Sequence, residues 1–203
     1  MNTQNQINWM KKFAGALAAV GATALIGLPV LAQFNYSASI FNPSGGTSRS
    51  VDGTVAGELD SAIKYYRDFQ AFAEAVKVAG LTENFRAKDQ ANPNKVLFTV
   101  FAPTDEAFAA LPADIREKLF KPENKDKLAK VLNYHVVAGQ VTAKEVEAGV
   151  VQTAAGVPVK LELNATGDKL TLNGASVVQS SRRTANGVIV LVDKVLLPPD
   201  LSL

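Results

Sequence analysis

Two apolar stretches constrain the fold of this 203-residue chain more than any other feature. The stretch 96–101 reads Val-Leu-Phe-Thr-Val-Phe, and the stretch 188–192 reads Val-Ile-Val-Leu-Val. Runs of this length that are apolar at nearly every position are typical of strands buried on both faces. The sequence therefore predicts two central strands that need cover from other elements on either side.

Helical periodicity precedes the first of these stretches. From about Leu59 the pattern becomes helical, and Asp68 is predicted to cap a helix that ends at Gly80. Apolar residues recur in this helix at spacings of three and four, at Phe69, Phe72, Ala73, Val76 and Ala79.

Short helices are predicted after the first apolar stretch. Thr104 is a good N-cap, and Asp105 places negative charge in the first turn, where the helix dipole favours it. Prolines introduce further helices at about 113–120 and 123–133. The stretch 142–147 has the Thr-x-x-Glu spacing of a capping box, which predicts one more short helix.

The last third of the chain changes to the two-residue period of strands. Apolar and polar residues alternate over 159–164 and again around Leu170 and Leu172, with a turn predicted at 166–168. Val177 and Val178 suggest a third strand before the second apolar stretch. Because helices come first and hairpin strands later, we predict an α+β fold.

The N-terminus has the pattern of an export signal. Lys11 and Lys12 precede an apolar run that ends in small residues before Gln33, which predicts a signal peptide at 1–32. The alternative is an uncleaved membrane anchor, since about 20 apolar residues can span a bilayer. We predict a flexible linker at 33–57, rich in turn-forming residues, one domain at 58–200 and a tail at 201–203. The expected location is periplasmic, cell-surface or extracellular.

Composition excludes several kinds of function. The chain has no cysteine, so disulfides and thiolate chemistry are excluded. Without 1–32, which contains two lysines and no acidic residue, 19 basic residues face 19 acidic ones. This balance argues against a nucleic-acid partner. The adjacent pair Arg182 and Arg183 is interpreted as part of a solvated loop.

No motif predicts catalysis, a metal site or a cofactor. His135 is the single histidine, which cannot form a two-histidine metal site, and no nucleophile elbow or phosphate-binding loop is present. A histidine beside a valine run is more often a hydrogen-bonded core residue than a base. From the residues alone, the chain is an exported α+β domain that is not an enzyme and binds no cofactor.

Three ordered motifs resemble the fasciclin domain family. The first box is 98–108, Phe-Thr-Val-Phe-Ala-Pro-Thr-Asp-Glu-Ala-Phe; the second is the Tyr-His motif at Tyr134 and His135; the third is the terminal box from 186 to 199. Two departures are Val190, where the family commonly has histidine, and Ser181-Arg182, where integrin-binding members often have Asp-Ile.

The resemblance implies a β-wedge or sandwich flanked by several short helices. It also implies a non-catalytic adhesion or interaction module whose partner is a cell-surface protein, a matrix protein or a polysaccharide. A carrier of an apolar small molecule, such as a carotenoid or lipid, is the alternative. Thr104, Asp105, Tyr134 and His135 are the candidate motif residues, and their role is predicted to be mainly structural. The resemblance also implies that the His135 ring is buried and hydrogen-bonded, with the turn at Thr104 and Asp105 as the expected partner.

Overall fold

The computed structural model describes residues 52–65, 68–92, 95–165 and 169–202. The predicted signal peptide, most of the predicted linker and the predicted turn at 166–168 lie outside these residues. Helices and strands are both abundant, and most helices precede the hairpin strands. The α+β class predicted from the sequence is confirmed.

The described residues form six α-helices, which lie mainly in the first half of the domain. They are α1 (Val55–Tyr65), α2 (Gln70–Ala79), α3 (Asp105–Ala109), α4 (Ala113–Leu119), α5 (Lys125–Tyr134) and α6 (Ala143–Ala148). Short 3₁₀ helices occur at Thr82–Arg86 and Pro122–Asn124. Local sequence signals set several ends. Gly80 ends α2 in the left-handed conformation with φ 75°, and the capping box that begins α6 is formed by Thr142 and Glu145.

Seven strands form one mixed sheet. They are β1 (Phe98–Pro103), β2 (Val136–Ala138), β3 (Val150–Gln152), β4 (Pro158–Leu163), β5 (Leu170–Leu172), β6 (Ala175–Arg183) and β7 (Gly187–Val192). Their order is β2-β1-β7-β6-β5-β4-β3, and β1 and β7 are the parallel pair among antiparallel neighbours. The two apolar stretches thus lie side by side in the sheet. The three-residue strands β2 (Val-Val-Ala) and β3 (Val-Val-Gln) were not predicted, because neither alternates between apolar and polar residues as β5 does.

The sheet curves until its two ends meet. The amide of Ala154, just after β3, donates to the carbonyl oxygen of Val136 in β2 at 2.7 Å. Strand β6 also shifts register against β7 at two places, between Val177 and Gln179 and between Gln179 and Arg182. Such irregularities bend a strand and increase its twist, which helps a sheet to close on itself. The result is a nearly closed mixed sheet with most helices packed on one side and α6 packed against β3 and β4.

Side chains of the central strands enter two separate cores. In β7, Ile189 and Leu191 pack with the helices, whereas Val188, Val190 and Val192 pack inside the curved sheet. All six residues of β7 and all six of β1 are buried. The uninterrupted apolar sequence of both strands therefore follows from their position between the two cores.

The N-terminal boundary of the domain differs from the prediction. The predicted linker extended to residue 57, but α1 begins at Val55, and Val55 and Ala56 are both 0% exposed. Val55 also donates its amide hydrogen to Oδ1 of Asn186 at 2.8 Å. The predicted C-terminal end of the linker was therefore wrong. The turn-forming residues just before Val55 gave no indication that a buried helix begins there.

This boundary leads to a prediction for truncated chains. We expect a chain that begins at Glu58 to lose about 3 kcal/mol relative to one that begins at Asp52, because it lacks the burial of Val55 and Ala56 and one buried hydrogen bond. A chain that begins at Asp52 should unfold at nearly the same midpoint as one that begins at Gln33. Urea unfolding followed by circular dichroism measures all three. Equal midpoints for the Glu58 and Asp52 chains would contradict the boundary drawn from the structure.

Candidate functional site

Thr104 and Asp105 begin two different helices. The hydroxyl oxygen of Thr104 accepts the amide hydrogen of Ala107 at 3.2 Å, which caps α3 as predicted. The Asp105 carboxylate points to a neighbouring helix, where its Oδ1 accepts the amide hydrogen of Ala71 at 2.7 Å. Ala71 lies in the first turn of α2, whose own N-cap residue, Phe69, provides no side-chain cap. The Thr-Asp pair is therefore a double cap that fixes α2 against α3.

Asp68 does not cap α2 as predicted. The N-cap position belongs to Phe69, and the Asp68 carboxylate instead binds Nη2 of Arg182 at 2.9 Å. The main-chain carbonyl of Asp68 accepts the amide hydrogen of Asp105 at 3.1 Å. Asp68 is next to the start of α2 in the sequence, but the side chain that caps this helix in the folded protein is the distant Asp105.

Replacing Asp105 with alanine should loosen the start of α2. We expect a loss of about 1 kcal/mol, which is typical for the removal of a capping carboxylate. Asp114 provides the matched control, since it is an exposed aspartate in the first turn of α4 for which no cap to another helix is found. The measurement is the difference in urea midpoint between the two alanine variants. An Asp105 variant as stable as the Asp114 variant would mean that the double cap contributes nothing.

Tyr134 links α5 to the sheet. Its ring lies in the core inside the sheet and the residue is 1% exposed. The hydroxyl donates to the carbonyl oxygen of Pro158 at 3.2 Å and accepts from Nδ2 of Asn173 at 2.8 Å. Burial is the main cause that raises the pKa of the phenol above its usual 10.0, opposed by the Asn173 hydrogen bond. Tyr134 therefore serves as a buried, neutral connection between the helix, strand β4 and the turn that joins β5 to β6.

His135 connects the end of α5 to the C-terminal segment. The residue is 0% exposed, and its ring lies 5.7 Å from the ring of Phe72 in α2. Nδ1 is 2.8 Å from the carbonyl oxygen of Val131, and Nε2 accepts the amide hydrogen of Leu196 at 2.9 Å. Because an amide can only donate and a carbonyl can only accept, the hydrogen of the neutral ring must lie on Nδ1.

The environment of His135 stabilises the neutral ring. Burial lowers its pKa from 6.5 to about 4, an effect that the hydrogen bond to Val131 only partly opposes. Protonation would also place a hydrogen on Nε2, directly against the amide hydrogen of Leu196. The expected hydrogen bond between the ring and the turn at Thr104 and Asp105 was wrong. The ring is buried and hydrogen-bonded, but its partners are Val131 and Leu196, which the sequence does not mark.

Asn186 is a buried polar side chain that makes four hydrogen bonds, although it was not among the site residues predicted from the sequence. It is 0% exposed, and Nδ2 donates to the carbonyl oxygens of Phe85 at 2.7 Å and Ala87 at 2.8 Å. Its Oδ1 accepts from the amide of Val55 and, at 3.2 Å, from the hydroxyl of Thr184. Every donor and acceptor of the amide is therefore engaged. The sequence showed only an Asn-Gly pair before an apolar strand, which is as common in solvated turns.

Gly187 follows Asn186 for a steric reason. A Cβ atom at this position would lie 2.5 Å from Cγ2 of Val55 and 2.8 Å from the carbonyl oxygen of Phe98. The second contact involves the backbone of β1, which cannot rotate away as a side chain can. The absence of a side chain lets α1, β1 and β7 approach closely, so the Asn-Gly pair joins three elements at one point.

Arg182 is not part of a solvated loop, as the sequence had suggested. It lies in β6, and its guanidinium binds Glu58 at 3.2 Å and Asp68 at 2.9 Å while lying 5.5 Å from the centre of the Phe69 ring. Glu58 has only 1% of its side chain exposed. Buried carboxylates are costly unless they are paired, so the arginine stabilises the packing of α1 on the sheet.

A cleft of about 260 Å³ opens beside these structural residues. It is lined by Leu81, Asn84, Phe85, Phe98, Asn133, Val136 and Ala154. Within the described residues, the side-chain amides of Asn84 and Asn133 make no hydrogen bond, although both residues can donate and accept. No residue in the lining is ionisable.

The residues that the structure describes contain neither a metal-binding cluster nor a helix able to span a membrane. No three His, Asp or Glu side chains in 52–65, 68–92, 95–165 and 169–202 converge as they would to hold a metal ion. In the same ranges, none of the helices combines the length and apolar character that crossing a membrane requires.

Comparison with known proteins identifies the family. The sequence model of the fasciclin domain matches residues 67–198. Protein sll1483 of Synechocystis sp. is 44% identical over 131 residues, which cover 64% of this chain and 68% of that protein. The cell surface glycolipoprotein MPB83 of Mycobacterium bovis is 39% identical over 102 residues, which cover 50% of this chain and 44% of the relative.

A solved structure agrees in fold. The FAS1 domain pair from the insect cell adhesion molecule fasciclin I superposes with a TM-score of 0.57 at 20% identity, over 73% of this chain and 52% of that one. The residues that the family model matches include the first box, the Tyr-His motif and the Asn-Gly pair. The chain belongs to the fasciclin domain family.

Proposed function

We propose that this protein is an exported, non-catalytic module that binds a cell-surface protein, a matrix protein or a polysaccharide. Family membership is the observation that carries this proposal. One relative is named a cell surface glycolipoprotein, and the structural neighbour comes from a cell adhesion molecule. We therefore expect the partner of this chain to be a molecule of a cell surface or of the extracellular matrix.

The contacts of the motif residues support a non-catalytic role. Both ring nitrogens of His135 are engaged by the main chain, and no part of the ring is exposed. A general base must reach the proton that it removes, and this ring could do so only by breaking the core. Thr104 and Asp105 are likewise occupied as helix caps. The polar groups of these motif residues are therefore engaged in packing and capping, which supports a non-catalytic role.

The carrier alternative has weaker support. Ligand pockets commonly have volumes of about 300–1,000 Å³ and enclose most of the ligand. The cleft beside Phe85 and Phe98 has about 260 Å³ and is rimmed by two amides. It is too small to enclose a carotenoid or a lipid chain. An absorption spectrum and mass spectrum of protein purified from the native host test this alternative directly.

Export makes a separate prediction about the mature chain. The charged start, apolar run and small residues before Gln33 lead us to expect a native protein that begins at Gln33, outside the cytoplasmic membrane. N-terminal sequencing of the protein from fractionated cells measures this. An intact Met1 in the cytosol would contradict export, whereas an intact Met1 in the membrane fraction would favour the uncleaved anchor.

Adhesion itself is tested with coated beads. Beads carrying the folded protein should adhere to cells or extracellular matrix of the native host more strongly than albumin-coated beads, and soluble protein should compete. Pretreating the host surface with protease or with glycosidases separates protein from polysaccharide partners. Adhesion no stronger than that of albumin on every surface would contradict the proposed function.

A further inference from the structure

The cleft that includes Asn84 and Asn133 combines an apolar floor with unused hydrogen-bonding groups at its rim. Five of its seven lining residues are apolar, namely Leu81, Phe85, Phe98, Val136 and Ala154. Neither asparagine amide is hydrogen-bonded to another described residue. An apolar floor with a few polar groups that fix orientation is the usual composition of a binding site.

The lining restricts the charge of the occupant. Because no ionisable side chain contributes to the cleft, a charged group would lose its hydration without gaining a counter-ion. An uncharged occupant with an apolar portion avoids this cost. Its polar groups should be both donors and acceptors, since each asparagine amide offers two hydrogens and one oxygen.

The aromatic rings argue against a sugar as the occupant. Phe85 and Phe98 are only 3% and 2% exposed. They pack against each other edge to face, with centroids 5.7 Å apart and an interplanar angle of 76°. No open ring face is therefore available for the apolar face of a sugar to stack on. The apolar surface that remains partly exposed in the cleft belongs to Leu81 and Ala154, and it is suited to a compact apolar side chain.

The sheet edge beside the cleft excludes another mode of binding. The carbonyl oxygen of Val136 already accepts a hydrogen bond from Ala154, so a peptide cannot add as a full strand along β2 at this point. A peptide can still insert one side chain between the two asparagines. Its flanking amide groups would then lie near the free amides of Asn84 and Asn133.

We propose that this cleft binds an uncharged apolar side chain of a partner protein, with Asn84 and Asn133 hydrogen-bonding the peptide groups on either side of it. The inference rests on the proposed function and specifies a protein, rather than a polysaccharide, as the partner. Leucine and phenylalanine side chains are the type of anchor that the apolar floor accepts.

Capped amino acids test the proposal without knowledge of the partner. The probes are N-acetyl-leucinamide and N-acetyl-phenylalaninamide, with N-acetyl-aspartamide as the charged control and methyl β-D-glucopyranoside as the sugar control. In ¹⁵N-labelled protein, we expect the apolar amides to shift the side-chain NH₂ signals of Asn84 and Asn133 in a saturable manner. The two controls should bind at least about tenfold more weakly.

Two kinds of variant test whether the shifts of the side-chain NH₂ signals report binding in the cleft. Ala154→Leu should reduce the affinity for the apolar amides at least about tenfold by filling the floor, whereas Ala148→Leu, at an exposed helix end, should leave it unchanged. The double variant N84A/N133A should weaken binding while the protein stays folded, because neither amide supports the fold. It therefore provides a test even if Ala154→Leu does not fold.

The possible outcomes separate this inference from the proposed function. Absence of saturable shifts with either apolar amide, or equal binding of the glucoside or the charged amide, would overturn the inference. Coated beads that still adhere with the double variant would show that adhesion uses another surface, and so would also count against the cleft. Beads of the native protein that do not adhere at all would contradict the proposed function, while the amide titration would still decide the chemistry of the cleft.

Discussion

Replacement of Asn186 by alanine is expected to destabilise the protein by about 3–6 kcal/mol. Two buried main-chain groups, which cost about 1–3 kcal/mol each when left unsatisfied, and one part-buried carbonyl, which costs less, would lose their partner. These groups are the carbonyls of Phe85 and Ala87 and the amide of Val55. Domains of this size are stable by only about 5–15 kcal/mol in total, so the variant could be largely unfolded at 25 °C. Urea unfolding measures the loss.

Asn84→Ala is the matched control for this prediction. Asn84 is an exposed asparagine whose side-chain amide has no partner among the described residues, so its loss should change stability by less than about 0.5 kcal/mol. If both alanine variants unfold at the same urea concentration, the role assigned to Asn186 is wrong.

Asn186→Asp gives a second measurement if the alanine variant does not fold. The aspartate keeps an acceptor for the Val55 amide but faces the carbonyls of Phe85 and Ala87 with an oxygen. Its ionised form is disfavoured by burial and by these carbonyls, while its protonated form can donate one hydrogen bond. The stability difference from the native protein should therefore narrow as the pH falls from 7 to 5. A constant difference would mean that water reaches the site.

Local sequence patterns predicted most of the fold, because residues close together in the chain specify most of its helices and strands. The apolar stretches of β1 and β7 specify strands buried on both faces, and Thr142 with Glu145 specifies the start of α6 within four residues of chain. The start of α1 was misplaced because turn-forming residues precede it and because Asn186, which accepts the amide hydrogen of Val55, is 131 residues away in the sequence. Strand β2 shows no alternation of apolar and polar residues, and its position follows only from its pairing with β1.

The candidate site was only partly predictable, because its residues also bind partners that are distant in the sequence. The motifs marked Thr104, Asp105, Tyr134 and His135, but motif matching does not say which atoms meet. Asp105 caps a helix 34 residues earlier in the chain, and His135 accepts from an amide 61 residues later. Asn84 and Asn133 belong to no motif, and they become a pair only where the helices and the sheet edge enclose a cleft. Such pairings depend on the packed structure and leave no local pattern.

The stability of the native protein should fall as the pH decreases from about 6.5 to about 4, because of His135. The pKa of the ring is lowered from 6.5 to about 4 in the folded protein, so within this window the unfolded chain binds a proton that the folded chain does not. Each pH unit then costs about 1.4 kcal/mol, which gives a total of about 3 kcal/mol. The contribution is fully present above the unfolded pKa, and no further loss from this residue occurs below the folded one.

Variants of His135 distinguish this effect from the titration of carboxylates. At pH 7.5 we expect His135→Ala to lose about 2–5 kcal/mol, because the Val131 carbonyl and the Leu196 amide lose their partner and a cavity forms beside Phe72. His135→Gln should lose less, since its side-chain oxygen can accept from Leu196. Neither variant can titrate at this position, so both should lack the additional decline between pH 6.5 and 4 that the native protein shows.

The same variants decide whether His135 contacts a partner. If its role is structural, adhesion of coated beads should fall only in proportion to the unfolded fraction, and His135→Gln should adhere nearly as well as the native protein at low temperature. A fully stable variant that loses adhesion would make the ring a contact residue. That outcome would require the core around Val131 and Leu196 to open on binding, because the ring is 0% exposed in the folded domain. Amide hydrogen exchange at Leu196, whose amide hydrogen is bound to the ring, would detect such opening directly.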